Sequence, residues 1–134
     1  MRASMARLLQ FSGVLAVAAC GGGDPSGPGT PWVGDWELTL ENGVVPSGYA
    51  STLTIQTGSF TSTFVSAAQS CSWSGTLTAT STEITWSYDS ATGPPCNMAV
   101  GTARTSTWTL SGDGETLTLD FTADGGALQV WSRT

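Results

Sequence analysis

Few side chains in this 134-residue chain can do chemistry: three Cys, ten Asp and Glu, and four basic residues, with no His. Lys is absent too, so the four cations are Arg2, Arg7, Arg104 and Arg133. Without His no Ser has an imidazole base beside it, and without Lys there is no amine to form a Schiff base or activate a nucleophile. A zinc site would need His or at least three thiolates. Asp113-Gly114-Glu115 is too short for a calcium loop, which needs spaced oxygen ligands and a distal Glu; it reads as a hairpin turn. Hydrolysis by a carboxylate pair is formally open, yet the acids fall mostly on outward or turn positions. The expectation is a protein that is not an enzyme, holds no metal and needs no cofactor.

Charge narrows the partners. Arg2 and Arg7 lie in an N-terminal leader, and without it ten carboxylates stand against Arg104 and Arg133, a balance of −8. Nucleic-acid binding requires cations that displace counterions from phosphates, and two Arg cannot do that. Anionic headgroups repel the same surface, so membrane attachment has to be covalent or hydrophobic.

Residues 1–19 have the build of an export signal: Arg2 and Arg7 form a positive start, and Leu8 to Ala19 is a mostly apolar stretch too short to span a bilayer of ~30 Å. The stretch ends in Val17-Ala18-Ala19-Cys20, which resembles the bacterial lipobox. That resemblance implies cleavage before Cys20, acylation of its thiol and of the new amino terminus, and a covalent anchor in the membrane. Several acyl chains anchor stably where one holds only marginally. Gly21 follows the Cys instead of the Asp that resembles an inner-membrane retention signal. The implied location is therefore the bacterial cell envelope, on the periplasmic face of the outer membrane. Residues 20–31 then form a tether whose Gly and Pro favour neither helix nor ladder, with an r.m.s. span of roughly 18 Å.

From Trp32 to Thr134 the apolar period is 2. Trp36, Leu38 and Leu40 alternate with Glu37, Thr39 and Glu41, and Leu53 and Ile55 with Thr52, Thr54 and Gln56. Further strands carry Phe60 and Phe64; Trp73, Gly75 and Leu77; Ile84, Trp86 and Tyr88. The sixth runs from Met98 and Val100 to Trp108 and Leu110, and the last two carry Leu117, Leu119 and Phe121, then Leu128 and Val130. Eight hairpin-linked strands with outward Thr and Ser predict an all-β domain, an eight-stranded antiparallel up-and-down barrel, since closure removes the edges of a free sheet. The connections sort by end. Three are tight, whereas those at Glu41–Ser47, Ser66–Ser70 and Asp89–Pro95 are longer and fall together, as in a cup with one closed end and one mouth.

Gly34-Asp35-Trp36 opening the first strand, with Arg133 near the end of the last, is similar to the lipocalin pattern, and the domain looks like the small lipocalin-like domains of bacterial lipoproteins. The resemblance implies that Trp36 plugs the closed end and that Arg133 packs over its ring in a cation–π contact. A second family motif is missing from the turn at Ser111-Gly112-Asp113-Gly114. The tether enters at the closed end in this arrangement, so the acyl chains hold that end toward the bilayer and the mouth faces the aqueous compartment.

With Cys20 acylated, Cys71 and Cys96 remain, and an envelope is oxidising. Their bridge would close a loop worth ~3.5 kcal/mol in the chain-entropy model. Cys71 opens the fourth strand and Cys96 the sixth, which are not neighbours, so Gly93-Pro94-Pro95 has to bend Cys96 back toward Cys71; the alternative is two separate buried thiols. Arg104 falls inward on the alternation of its strand. It needs a carboxylate, supplied either by a ligand's acid head or by Glu115, the one acid in phase with an inward face, unless a bulge near Gly101 turns it outward. Phe60, Phe64, Trp73, Trp86, Tyr88, Met98 and Trp108 either line a ligand cavity with Arg104 or fill a barrel barely wide enough for its side chains. Two functions follow: a lipid-anchored cup for a small apolar or fatty-acid-like molecule, or a solid, non-catalytic module whose rim loops grip or inhibit another envelope protein. Interior volume separates them.

Overall fold

The computed structural model describes residues 31–134, except Pro95 and the side chain of Met98. The signal segment, Cys20 and the tether up to residue 30 lie outside the described residues. Eight antiparallel strands follow in order: β1 (Gly34–Glu41), β2 (Tyr49–Gln56), β3 (Ser59–Ser66), β4 (Ser70–Ala79), β5 (Glu83–Thr92), β6 (Ala103–Leu110), β7 (Thr116–Asp120) and β8 (Leu128–Arg133). Each pairs with the next, and β1 pairs with β8 to close the barrel. The architecture is that of a lipocalin-like up-and-down barrel.

Period 2 puts alternate side chains on opposite faces, and the two faces differ in kind. Inside lie Trp36, Leu38, Leu53, Ile55, Phe60, Leu77, Ile84, Trp86, Leu117, Leu119 and Trp131, all buried. Outside, the Thr and Ser coat forms hydroxyl rungs between neighbouring strands: Thr52 with Thr63, Ser72 with Thr92 at 2.7 Å, and Ser74 with Ser90 at 2.8 Å. Cross-strand pairs of this kind contribute a few tenths of a kcal/mol each and help fix register.

Two irregularities decide what faces inward. The β1–β8 register shifts between Leu38 and Leu40, so that Leu40 pairs with Val130 and Glu41 with Gln129. One extra residue reverses the faces beyond it. Leu40, expected inside, is turned away, and Glu41, expected outside, reaches the interior. The second irregularity is one extra residue, Asp89 on β5, between the pairs Ser74–Ser90 and Gly75–Tyr88. A Cβ at Gly75 would stand 1.7 Å from the Ser87 carbonyl oxygen, so only glycine permits this approach of β5.

The sixth strand is shorter than its sequence pattern predicts. Met98 and Val100 are not in it: Cys96–Ala99 forms a 3-10 turn, and β6 starts at Ala103. Pro94 removes a ladder donor, and Gly101, at φ 87°, breaks the extended run just before β6. The β5–β6 connection therefore spans 93–102, beginning later than the expected Asp89 and running well past Pro95. It shares the mouth with the β1–β2 connection (42–48), the β3–β4 connection (67–69) and the β7–β8 connection (121–127), the last carrying a short 3-10 turn at Thr122–Asp124. That fourth rim segment was not anticipated.

The opposite end is shut. Trp32 and Trp36 are each 1% exposed, the Trp36 indole N–H donates to the Trp32 carbonyl at 3.0 Å, and Trp32 meets Trp108 edge-on at 5.8 Å. Arg133 lies over the Trp36 ring at 4.3 Å. Its guanidinium donates to the carbonyls of Gly114 (2.9 Å), Val33 (2.9 Å) and Pro31 (3.3 Å), and it pairs with Glu115 at 3.2 Å. Gly34 is required by this arrangement, because its φ of 144° is hostile to other residues and a Cβ there would meet an Arg133 nitrogen at 2.5 Å.

Candidate functional site

Above the tryptophan plug the barrel is hollow. A cavity of about 620 Å³ opens at the mouth, within the range of small-molecule sites. Its lower wall is made by Leu38, Leu53, Phe60, Trp86, Leu119 and Trp131. Phe60 sets the aromatic order there, meeting Trp86 edge-on at 5.1 Å and Tyr88 edge-on at 5.5 Å, spacings favoured by ring quadrupoles. Polar groups deep in the wall are satisfied. The Trp86 N–H donates to Ser106 Oγ at 3.0 Å, and Ser62 Oγ donates to the Thr52 carbonyl at 3.0 Å.

Of the aromatic and charged residues singled out in the sequence, Phe60, Phe64, Trp73, Trp86, Tyr88 and Arg104 line this cavity. Trp108 does not. It packs against Trp32 and donates to the Thr80 carbonyl at 3.1 Å, as part of the closed-end plug. Met98 sits in the 3-10 turn of the β5–β6 connection.

Cys71 and Cys96 are joined by a disulfide, with Cα atoms 5.8 Å apart, and both border the cavity at the mouth. Cys96 does not open a strand. It is carried back over β4 by the turn after Thr92, where Gly93 takes φ 80° and its added Cβ would lie 2.8 Å from the Ser70 carbonyl oxygen. The bridge thus fastens the longest rim connection to the wall.

Among the described residues two charged groups face the cavity. Arg104 on β6 lines it and is exposed to solvent. Among the described residues it makes neither an ion pair nor a hydrogen bond, and its expected internal partner, Glu115, is bound to Arg133 at the other end. Beside it, burial raises the pKa of the Tyr88 phenol, opposed by the Arg104 charge and reinforced by Asp124. Glu41 on β1 is the second group, and sequence reasoning missed it. Its carboxylate accepts from the Tyr49 hydroxyl at 2.5 Å and from the Gln129 amide at 3.3 Å. Gln129 is oriented for this because its own oxygen accepts from the Trp131 N–H at 3.2 Å. The hydrogen bond to Glu41, with burial and the carboxylate's charge, pushes the Tyr49 pKa up to about 12. No signal in the sequence marks the register shift that brings Glu41 inside, since Thr39-Leu40 is an ordinary strand dipeptide. Among the described residues no three Cys, Asp or Glu side chains converge to hold a metal ion.

The rim is unusually apolar. Among the described residues the exposed large apolar side chains are Val44 and Val45 at 67%, with Val65, Val100 and Leu128. Each lies at the mouth end of its strand or on a rim connection.

No family model matches the chain, and no curated protein matches it. Among solved structures it is similar to an uncharacterized protein from Bacteroides eggerthii DSM 20697, with a TM-score of 0.54 at 17% identity, over 77% of this chain and 99% of that one. That likeness concerns the barrel fold alone.

Proposed function

We propose that the chain is a lipid-anchored envelope lipoprotein whose barrel holds a small, mainly apolar molecule. The observation that carries this is the open cavity of about 620 Å³ above the plug. A module acting only through its rim has no use for a hollow centre at protein packing density. Arg104, without an internal carboxylate among the described residues, favours a ligand that carries an anionic group. The function proposed is binding and not catalysis, because the chain contains neither His nor Lys to serve the common acyl-transfer and Schiff-base chemistries.

The lipobox residues support attachment through Cys20. Pro31 is held by Arg133 at the closed end, so a tether leaving there would point the mouth away from the bilayer. Two measurements test the proposal. Mass spectrometry of small molecules extracted from the purified full chain should find an apolar species in stoichiometric amount, and a barrel that contains only water overturns the cup. Cys20→Ala should release the protein from the membrane fraction, and retention of that variant overturns the anchor.

The exposed rim valines favour a second function, in which the mouth also docks on another envelope protein. The cup does not depend on it.

A further inference from the structure

We propose that the cup's ligand is a zwitterionic amphiphile, whose anionic group pairs with Arg104 and whose ammonium group is held by Glu41 and the aromatic faces beside it. This rests on the cup-binding function above and names its ligand class. Glu41 and Arg104 line one cavity but sit three strands apart around the ring, on β1 and β6. They do not pair with each other, and among the described residues neither meets a counter-charge. A fatty acid would satisfy Arg104 and leave the Glu41 carboxylate facing the ligand's apolar body, an unfavourable contact.

The Glu41 wall is built to fix the direction of the carboxylate. Tyr49 and Gln129 each donate to it, and Gln129 is oriented in turn by Trp131. A carboxylate can accept about four hydrogen bonds, so two donors leave capacity for a ligand. Tyr49 stacks on Phe64 with ring centres 5.5 Å apart and planes 24° from parallel, and both rings line the cavity with Glu41. A carboxylate beside aromatic faces is the chemistry that recognises an ammonium group. On the far side Arg104 supplies a guanidinium, and the half-buried phenol of Tyr88 stands near it. The polar requirements lie high in the cup, and the apolar wall formed by Phe60, Trp86 and Leu119 lies below them to take a chain.

The test uses the full chain and a matched set of dodecyl probes, namely laurate, dodecyltrimethylammonium and a dodecyl sulfobetaine with a propyl spacer between its charges. All are used below their micellar concentrations, and binding is read by tryptophan fluorescence. The sulfobetaine should bind about tenfold more tightly than either singly charged probe, the worth of one added charge-assisted contact. Glu41→Gln should remove that advantage over laurate without weakening laurate, and Arg104→Met should remove the advantage over the cation. Laurate binding as tightly as the sulfobetaine to the unaltered protein overturns the zwitterion and leaves the cup standing. No binding by any of the three overturns both. The ranking on the unaltered protein decides the matter even where a variant fails to fold.

Discussion

Arg133 and Arg104, the two arginines of the barrel, sit at opposite ends in opposite circumstances. Arg133 donates to three carbonyls, pairs with Glu115 and covers the Trp36 ring. Arg104, among the described residues, does none of these. One chemical group is used at one end to lock backbone and at the other is left with its donors available. The surroundings follow the same division. The closed end joins two nearly inaccessible tryptophans, whereas the mouth carries exposed valines, an inward carboxylate and a cavity. The difference teaches that the closed end uses its side chains to lock the barrel shut, whereas the mouth leaves polar and apolar groups available around the cavity. Such regions are where binding sites concentrate.

The comparison breaks first at Trp36. Trp36→Ala removes one of the two fully buried rings of the plug and should destabilise the barrel by about 3–5 kcal/mol, measured by urea unfolding. A loss below about 1 kcal/mol would mean that the closed end is not what holds the barrel together. Next comes the one covalent feature of the mouth. Replacing both Cys71 and Cys96 by Ser should cost about 2–4 kcal/mol. Hydrogen exchange should then quicken mainly in 93–102, with the closed end staying protected. Uniform loss of protection would remove the distinction between a rigid end and a fastened rim.

The arginines give the sharper contrast. Arg133→Met loses the carbonyl bonds and the ring contact and should cost about 2 kcal/mol, since charge-assisted hydrogen bonds are worth ~1.5–3 kcal/mol each when well shielded and Arg133 is only partly buried. Arg104→Met should change stability by no more than about 0.5 kcal/mol, the usual range for a surface site. Equal losses at the two positions would make Arg104 a structural residue and remove it from the site.

The closed end was far more legible in the sequence than the mouth, for a physical reason. Period 2 specifies a face for as long as pairing stays in register. Trp36, Ile55, Leu77, Ile84 and Leu117 obey it, so these strands could be read directly; the plugging role of Trp36 was implied by family resemblance, and the places of Trp32 and Trp108 in the plug were missed. The position of Arg133 over Trp36 was implied by family resemblance, not by periodicity. Near the mouth the pattern is interrupted by features that leave little trace in residue types. The shift at Leu38/Leu40 sends Glu41 inward and Leu40 outward without a glycine to announce it. Met98 and Val100 continue the alternation on paper, but Gly101 and the turn that brings Cys96 to Cys71 take them out of the ladder. Glu115 was in phase to serve Arg104, yet the β7–β8 pairing of Thr116 with Ser132 brings Arg133 to its side instead. Which strands neighbour each other, and in what register, is set by the whole ring and cannot be seen in any local window.

The smallest expected effect probes the mouth through its tyrosines. The chain has two, Tyr49 and Tyr88, and both phenols are raised above the usual value. Tyr49 reaches about 12 because it donates to Glu41, and Tyr88 is raised by burial. The folded protein holds these protons more tightly than the unfolded chain does. Their contribution to stability is therefore complete below the ordinary tyrosine pKa of 10.0 and, for Tyr49, is lost as pH rises from there through about 12. Ultraviolet titration of the folded protein should accordingly show little tyrosinate at pH 10, and Tyr49→Phe should leave a single late transition from Tyr88. Stability of the unaltered protein should fall more steeply above pH 10 than that of Tyr49→Phe. Glu41→Gln should bring the Tyr49 transition down toward its ordinary position, because the neutral amide no longer repels the phenolate. A half-developed tyrosinate signal at pH 10 in the unaltered protein would mean that Tyr49 does not engage Glu41. The carboxylate at the mouth would then have no fixed orientation, and the contrast between the two ends would lose its best-ordered polar element on the open side.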